Sequence, residues 1–165
     1  PPRVMLRAIG LTTPVRYRHE PARRPRVQTT ATGLELSTSH ADHRDARRLL
    51  RAWLLEEARR HLKPWLLAEA AAMGRAPNKV QIRLQRTRWG SCSAHGNISL
   101  NASALFLERS VARYLLIHEL SHLFSLDHSG RFWRHVERFE PDYRALDRRL
   151  ANAWTEVPLW VAAAD

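Results

Sequence analysis

A chain of 165 residues with one cysteine and a formal net charge of +11 has room for a single hydrophobic core and cannot close an internal disulfide. Charges and prolines break up its opening residues, so neither a signal peptide nor a membrane span is expected, and a cytoplasmic setting is the plain expectation. The start at Pro1 rather than methionine reads as a trimmed chain.

In chain order, residues 15–18 read as a short strand. Residues 26–30 and 34–37 flank the Gly-bearing loop 31–33 as a hairpin, completing an N-terminal β region over 1–40. A helical segment follows over 42–73, where Leu49, Leu50, Trp53, Leu54, Ala58 and Leu62 recur at helical spacing. Ser39 or Asp42 can cap it, and Pro64 is expected to interrupt or kink it. Trp53 and Trp65 fit its core face. Residues 80–85 and 97–101 alternate apolar and polar side chains, with 93–96 as the hairpin turn that joins them. A loop at 104–108 precedes an apolar helix over 109–127. Ser129 can cap a helix carrying Phe132, Trp133, Val136 and Phe139. Pro141 suits the first turn of a last helix presenting Tyr143, Leu146, Leu150 and Trp154. The whole reads as one domain, 1–165, with 78–155 as the core that carries chemistry and 156–165 as a tail.

Charge is unevenly spread. Residues 1–88 hold 19 basic against 7 acidic side chains, whereas 89–165 hold 8 against 9, and only Lys63 and Lys79 are lysines. Arginine pairs at 23–24, 47–48 and 59–60 could draw nucleic acid or a nucleotide to the N-terminal half. Solvated arginine-rich helix faces account for the same pattern without such a partner.

The stretch with the most chemical content is His118-Glu119-Leu120-Ser121-His122. Residues four apart share a helix face, so both imidazoles can reach one cation, while Glu119 is placed to act as a base on a water held there. Aliphatic residues on both sides argue for a buried helix, in which imidazoles and a carboxylate need partners. For a third ligand, His128 follows His122 after five intervening residues, the spacing of HExxHxxGxxH enzymes, with Ser125 where those have glycine. His135, Glu137 and Glu140 are the alternatives, and Cys92 is a lone thiol that could also ligate. Asp127 reads as a turn residue or as an acceptor that orients an imidazole. His19, His40, His43, His61 and His95 lack such company and read as surface residues.

Four blocks then line up: Arg88-Trp89-Gly90-Ser91-Cys92-Ser93, Gly96-Asn97-Ile98-Ser99-Leu100-Asn101, the 118–122 stretch, and His128-Ser129-Gly130-Arg131-Phe132-Trp133. In order and spacing they resemble the YgjP-like metallopeptidase family, related to the SprT-like and WLM zincins, over residues 79–150. Gly130 stands where that family usually has proline. The resemblance implies an α+β, zincin-like minimal metallopeptidase domain in which a small antiparallel sheet packs on the HExxH helix and flanking helices. It implies His118, His122 and His128 as zinc ligands and Glu119 as general base. Nickel or iron would fit the same imidazoles.

Residues 88–93 would end the strand beside that helix, where an extended peptide or protein substrate can add by backbone hydrogen bonds. Arg88, Trp89, Gly90 and Ser91 are thereby candidate substrate contacts, and Tyr143 a candidate oxyanion donor or a core residue. The leading function is a zinc-dependent metallopeptidase-type hydrolase. The alternatives are a metal-dependent nucleoside triphosphate pyrophosphatase or phosphohydrolase and, in another class, a nucleic-acid-associated zinc-binding module.

Overall fold

Alternation of buried and exposed side chains builds the first layer. The computed structural model describes residues 1–20, 24–38 and 43–162, the His43 side chain excepted. Strands β1 (Arg3–Leu6), β2 (Leu11–His19), β3 (Arg26–Thr30) and β4 (Gly33–Thr38) form one sheet in the order β1-β2-β4-β3. Val4, Leu6, Val15, Leu34 and Leu36 point inward from it. Helix α1 (His43–Met73) lies against this layer. Its residues Leu50, Leu54, Ala58, Leu62, Leu66 and Ala70, each four apart, are all fully buried. A second sheet has the order β5-β7-β6, from β5 (Lys79–Arg83), β6 (Gly90–Cys92) and β7 (Asn97–Asn101). Helices α2 (Arg109–Ser121), α3 (Gly130–Phe139), α4 (Tyr143–Asn152) and the one-turn α5 (Leu159–Ala162) complete the fold.

The α+β class agrees with the sequence reading, but the pairing within it is mixed. Strand β4 inserts between β2 and β3, antiparallel to β3 and therefore parallel to β2. Likewise β7 is antiparallel to β6 and parallel to β5. The 93–96 turn joins β6 to β7, not β5 to β7, through Ser93 and Gly96 backbone bonds of 2.9–3.0 Å. With three residues, β6 is too short to show an alternation of its own. The N-terminal hairpin turn is also tighter than expected, because Gly33 pairs with Thr30. Gly33 has φ +137°, and a β-carbon there would meet the Pro14 carbonyl oxygen at 2.6 Å.

Helix α1 continues through Pro64. Arg60, Lys63 and Pro64 are exposed, so the carbonyl that proline leaves unpaired can turn to water. The proposed caps Ser39 and Asp42, like His40, lie outside the described residues. The 104–108 loop is largely a buried turn of 3₁₀ helix over Ala102–Phe106. The apolar helix stops at Ser121 rather than Asp127, and the chain folds back through Leu123 N–H to Leu120 and Phe124 N–H to Ser121. Within the segment read as a tail, Val161 is buried and Trp160 meets Phe106 edge-on at 6.0 Å, while 163–165 lie outside the described residues.

Helix α2 is the centre of the assembly. It packs on α1, α3, α4 and β6, which is why Tyr114, Leu115, Leu116, Ile117 and Leu120 are all buried. Ion pairs hold its N-terminal half. Glu108, just before α2, binds Arg7 at 2.7 Å and also Arg149 at the end of α4. Arg113 joins Glu69 of α1 to Glu140 at the end of α3, both at 2.9 Å. Among the described residues, no helix is long and apolar enough to cross a membrane.

Fully buried Asn101 holds the loop between β5 and β6. Its amide donates to the carbonyls of Gln85 (2.7 Å) and Arg88 (2.9 Å), and its oxygen accepts from Ser103 N–H at 3.0 Å. Asn101→Ala leaves those groups unpaired and should lower stability by about 2–4 kcal/mol. Urea denaturation measures this, and an unchanged midpoint would show that the loop is held by other contacts.

Candidate metal centre

Three imidazoles converge where α2 ends. His118 and His122 are one turn apart, and the turn over 122–129 brings His128 back across them. The ligand nitrogens of the three lie within 4.8 Å of one another, and Nε2 of His118 is 3.1 Å from Nε2 of His128. Two nitrogens bound tetrahedrally to one zinc ion at about 2.0–2.1 Å are roughly 3.3 Å apart. The donor set and its spacing therefore fit a single cation. Phe132, fully buried on α3, lies beneath all three rings at 4.5–5.0 Å, and Trp133 stacks on His128 at 5.7 Å.

The remaining nitrogens of the two helix imidazoles have partners. His122 Nδ1 is 3.2 Å from the Ser125 carbonyl, which can only accept, so Nδ1 carries the proton and Nε2 is left free for a ligand role. His118 Nδ1 is 3.2 Å from the Tyr114 hydroxyl, which donates to Asp147 Oδ1 at 2.7 Å. Burial and the two neighbouring imidazoles hold His118 down at about 3, and burial lowers His122 as well. Both rings are therefore kept in the neutral form that a cation needs.

Glu119 is buried against β6. Its Oε2 has no hydrogen-bond partner, and burial pushes the carboxyl up to about 8. A β-carbon on Gly90 would come within 2.6 Å of Glu119 Oε1 and 2.8 Å of its Cγ and Cδ. A side chain at 90 would therefore have to displace that of Glu119; the constraint is one of space, since the Gly90 φ is not left-handed. A cavity of about 280 Å³ opens beside this pair, lined in part by Arg88, Trp89, His118, Asp147 and Trp154. A second of similar size lies on the far side of His122, edged by Arg75. A cavity of about 520 Å³ lies away from these groups, between Pro1, Tyr17, Arg47 and Trp160.

The other sequence candidates take separate places. Arg88 is exposed at the rim of the Glu119 cavity, Trp89 is buried against Trp154 at 4.1 Å, and Ser91 pairs with Ser99 in the ladder. Tyr143 is buried, stacked on Trp133 at 5.3 Å, and its oxygen accepts from Arg144 at 3.2 Å. Glu140 is engaged by Arg113, Glu137 is exposed, and His135 packs on Phe124 at 3.9 Å. None of these three belongs to the imidazole cluster.

Asp127 accepts from Ser125 Oγ at 2.7 Å, so it braces the turn rather than an imidazole. Burial first, and then the Glu119 charge, raise the Cys92 thiol to about 11, leaving little thiolate to ligate. Tyr114, Phe132 and Asp147 are the site residues that the sequence reading missed. Tyr114 lies one turn before His118, and Asp147 interrupts the apolar stripe Tyr143, Leu146, Leu150, so both carried a positional signal.

The buried carboxyl has a measurable consequence. A group whose pKa rises from 4.5 to about 8 on folding holds its proton more tightly in the native state. It favours the native state below about pH 4.5, and that advantage is lost as pH climbs through 8. Glu119→Gln cannot ionise, so it should gain on the wild type between pH 5 and pH 8 in metal-free protein, by several degrees of Tm. Added zinc should shrink that gain, because a nearby cation favours the carboxylate. A gain independent of pH would contradict the assignment.

Comparison with known proteins places this geometry. Two solved structures are similar over 55% of this chain. One is the metallopeptidase zymogen abylysin of Pyrococcus abyssi, 31% identical with a TM-score of 0.49 and 91% of that chain covered. The other is the metallopeptidase zymogen jannalysin of Methanocaldococcus jannaschii, 14% identical with a TM-score of 0.48 and 93% covered. A search of curated proteins finds no match. The model of the YgjP-like, metallopeptidase domain family extends well beyond the 118–122 stretch, matching residues 5–153 and taking in both sheets and every element around the cluster; the chain belongs to that family.

Proposed function

We propose that the protein is a zinc-dependent peptidase in which His118, His122 and His128 hold the ion and Glu119 is the general base. The observation that carries this reading is a buried carboxyl group, without a hydrogen-bond partner at Oε2, that shares a cavity with His118, one of three converging imidazoles. A bound zinc ion supplies Lewis acidity, polarising a carbonyl and making water a stronger acid. Glu119 takes the proton of the attacking water and delivers it to the departing amine nitrogen. Gly90 leaves the carboxylate its room to turn.

Strand β6 is the edge of its sheet, so an extended peptide can pair with it, passing Ser91 and the half-buried Cys92. The substrate side chain nearest the cleaved bond then enters the cavity between Leu115, Leu150 and Trp154, with Arg88 at its rim. Residues 78–155 carry this machinery. A chain with one thiol and no pairing partner for it fits a cytoplasmic setting.

The nucleotide reading is less favoured. Of the described arginines, Arg88 alone lines the cavity beside Glu119, so no multi-arginine clamp for a triphosphate is assembled there. Several N-terminal arginines are taken up in ion pairs, such as Arg48 with Asp45 and Arg18 with Glu35.

Glu119→Gln should keep bound zinc while cleavage of unfolded protein or peptides falls by about 10²–10⁴-fold. His122→Ala should lose both metal and activity. Running nucleoside triphosphates beside the peptides separates the two chemistries. Turnover of triphosphate alone, or peptide cleavage that survives Glu119→Gln, would overturn the proposal.

Gly90→Ala is a subtler probe. The new methyl must displace the Glu119 side chain, so kcat should fall by on the order of 10²-fold with metal content unchanged. Wild-type kinetics in this variant would mean that the carboxylate works from another position.

A further inference from the structure

The geometry points to Tyr114 and Asp147 as positioning residues that set the tautomer of His118, so that its Nε2 lone pair is the one offered to the cation. This rests on the reading of residues 118, 122 and 128 as a metal site. A phenol has one proton, and Tyr114 gives it to Asp147 Oδ1 at 2.7 Å. Its contact with His118 Nδ1 at 3.2 Å must then run the other way, with Nδ1–H donating to the phenol oxygen. An imidazole protonated at Nδ1 has its lone pair at Nε2, the atom 3.1 Å from His128 Nε2. The order carboxylate, phenol, imidazole is thus fixed by donor counting alone.

The fold builds this relay from two helices. Tyr114 is one turn before His118 on α2 and is fully buried, so no solvent competes for its oxygen. Burial, together with the bond to Asp147, raises its phenol above the usual range and keeps the proton in place. Asp147 occupies the α2-facing stripe of α4 between the buried Leu146 and Leu150 and reaches the cavity beside Glu119. A charged residue on that stripe costs burial free energy that an alanine or leucine would not. The bond to Tyr114 explains its presence. His122 reaches the same tautomer by a different route, through the Ser125 carbonyl. The relay is therefore specific to the ligand whose Nδ1 faces the protein interior, where the α2 carbonyls are already paired within the helix.

The test uses the whole chain stripped of metal, as wild type, Tyr114→Phe and Asp147→Ala. Zinc affinity is read by competition with a chromophoric chelator, and the His118 tautomer by long-range ¹H–¹⁵N correlation of the imidazole nitrogens. Tyr114→Phe, which keeps the ring packing, should weaken zinc binding by about 10–100-fold. Asp147→Ala frees the phenol proton to turn toward Nδ1 and should raise the Nε2–H population of His118. A tie between α2 and α4 with no role in orientation would lower thermal stability but leave the tautomer and zinc affinity within twofold of wild type. That result overturns the relay. His118→Ala keeps the two readings apart. If it loses zinc while Tyr114→Phe retains it, the relay alone falls; if it binds zinc like the wild type, the metal-site reading falls as well.

Discussion

Between Gly90 and Glu119 there is no space for a β-carbon, and that contact sets the relation of the second sheet to the central helix. It presses the start of β6 onto α2 at the residue that follows His118. A carboxylate held there is cut off from water, which is costly unless its surroundings make use of it. The surroundings here are the cavity it shares with His118 on one side and Gly90 of β6 on the other. The same contact that desolvates Glu119 leaves the edge of β6 running past it, so the proposed base and the proposed docking edge arise from one packing contact.

The imidazoles raise the complementary problem. Rings crowded at 4.8–5.2 Å between centroids need something to hold each at its angle. Two devices share that work. Phe132 supplies a common surface beneath all three, and the outward-facing nitrogens of His118 and His122 are engaged by Tyr114 and by the Ser125 carbonyl. His128 has no such bond, lies exposed, and is placed by its stack on Trp133 and by the Ser125–Asp127 turn. The cluster is half-buried at its helix end and most open at His128, the imidazole that arrives last in the chain.

Charge plays a structural part in the same region. Glu108 binds arginines from the N-terminal sheet region and from α4, and Arg113 binds carboxylates at the ends of α1 and α3. These pairs are partly exposed, so each contributes little alone, but they join elements far apart in sequence around α2. An arginine-rich composition thus serves in part to clamp the scaffold, without need of a polyanionic partner.

What the sequence determined by itself was local and periodic. The four-residue spacing of His118 and His122, the adjacent Glu119, the i+4 stripe of α1 and the α+β alternation all follow from side-chain period and helix geometry, which need no knowledge of distant contacts. The identity of four spaced blocks added the family and a third imidazole. Tertiary structure decided what depends on two elements meeting. The parallel pairing of β5 with β7 and of β2 with β4 follows from which strand is inserted between which, and a strand of three residues leaves no pattern to read. The docking of Trp160 on Phe106, the floor that Phe132 gives His118 and the bond between Tyr114 and Asp147 likewise join residues on different elements, which no local pattern records. Spacing could say that two histidines share a face. Only packing could say which of their nitrogens would be free.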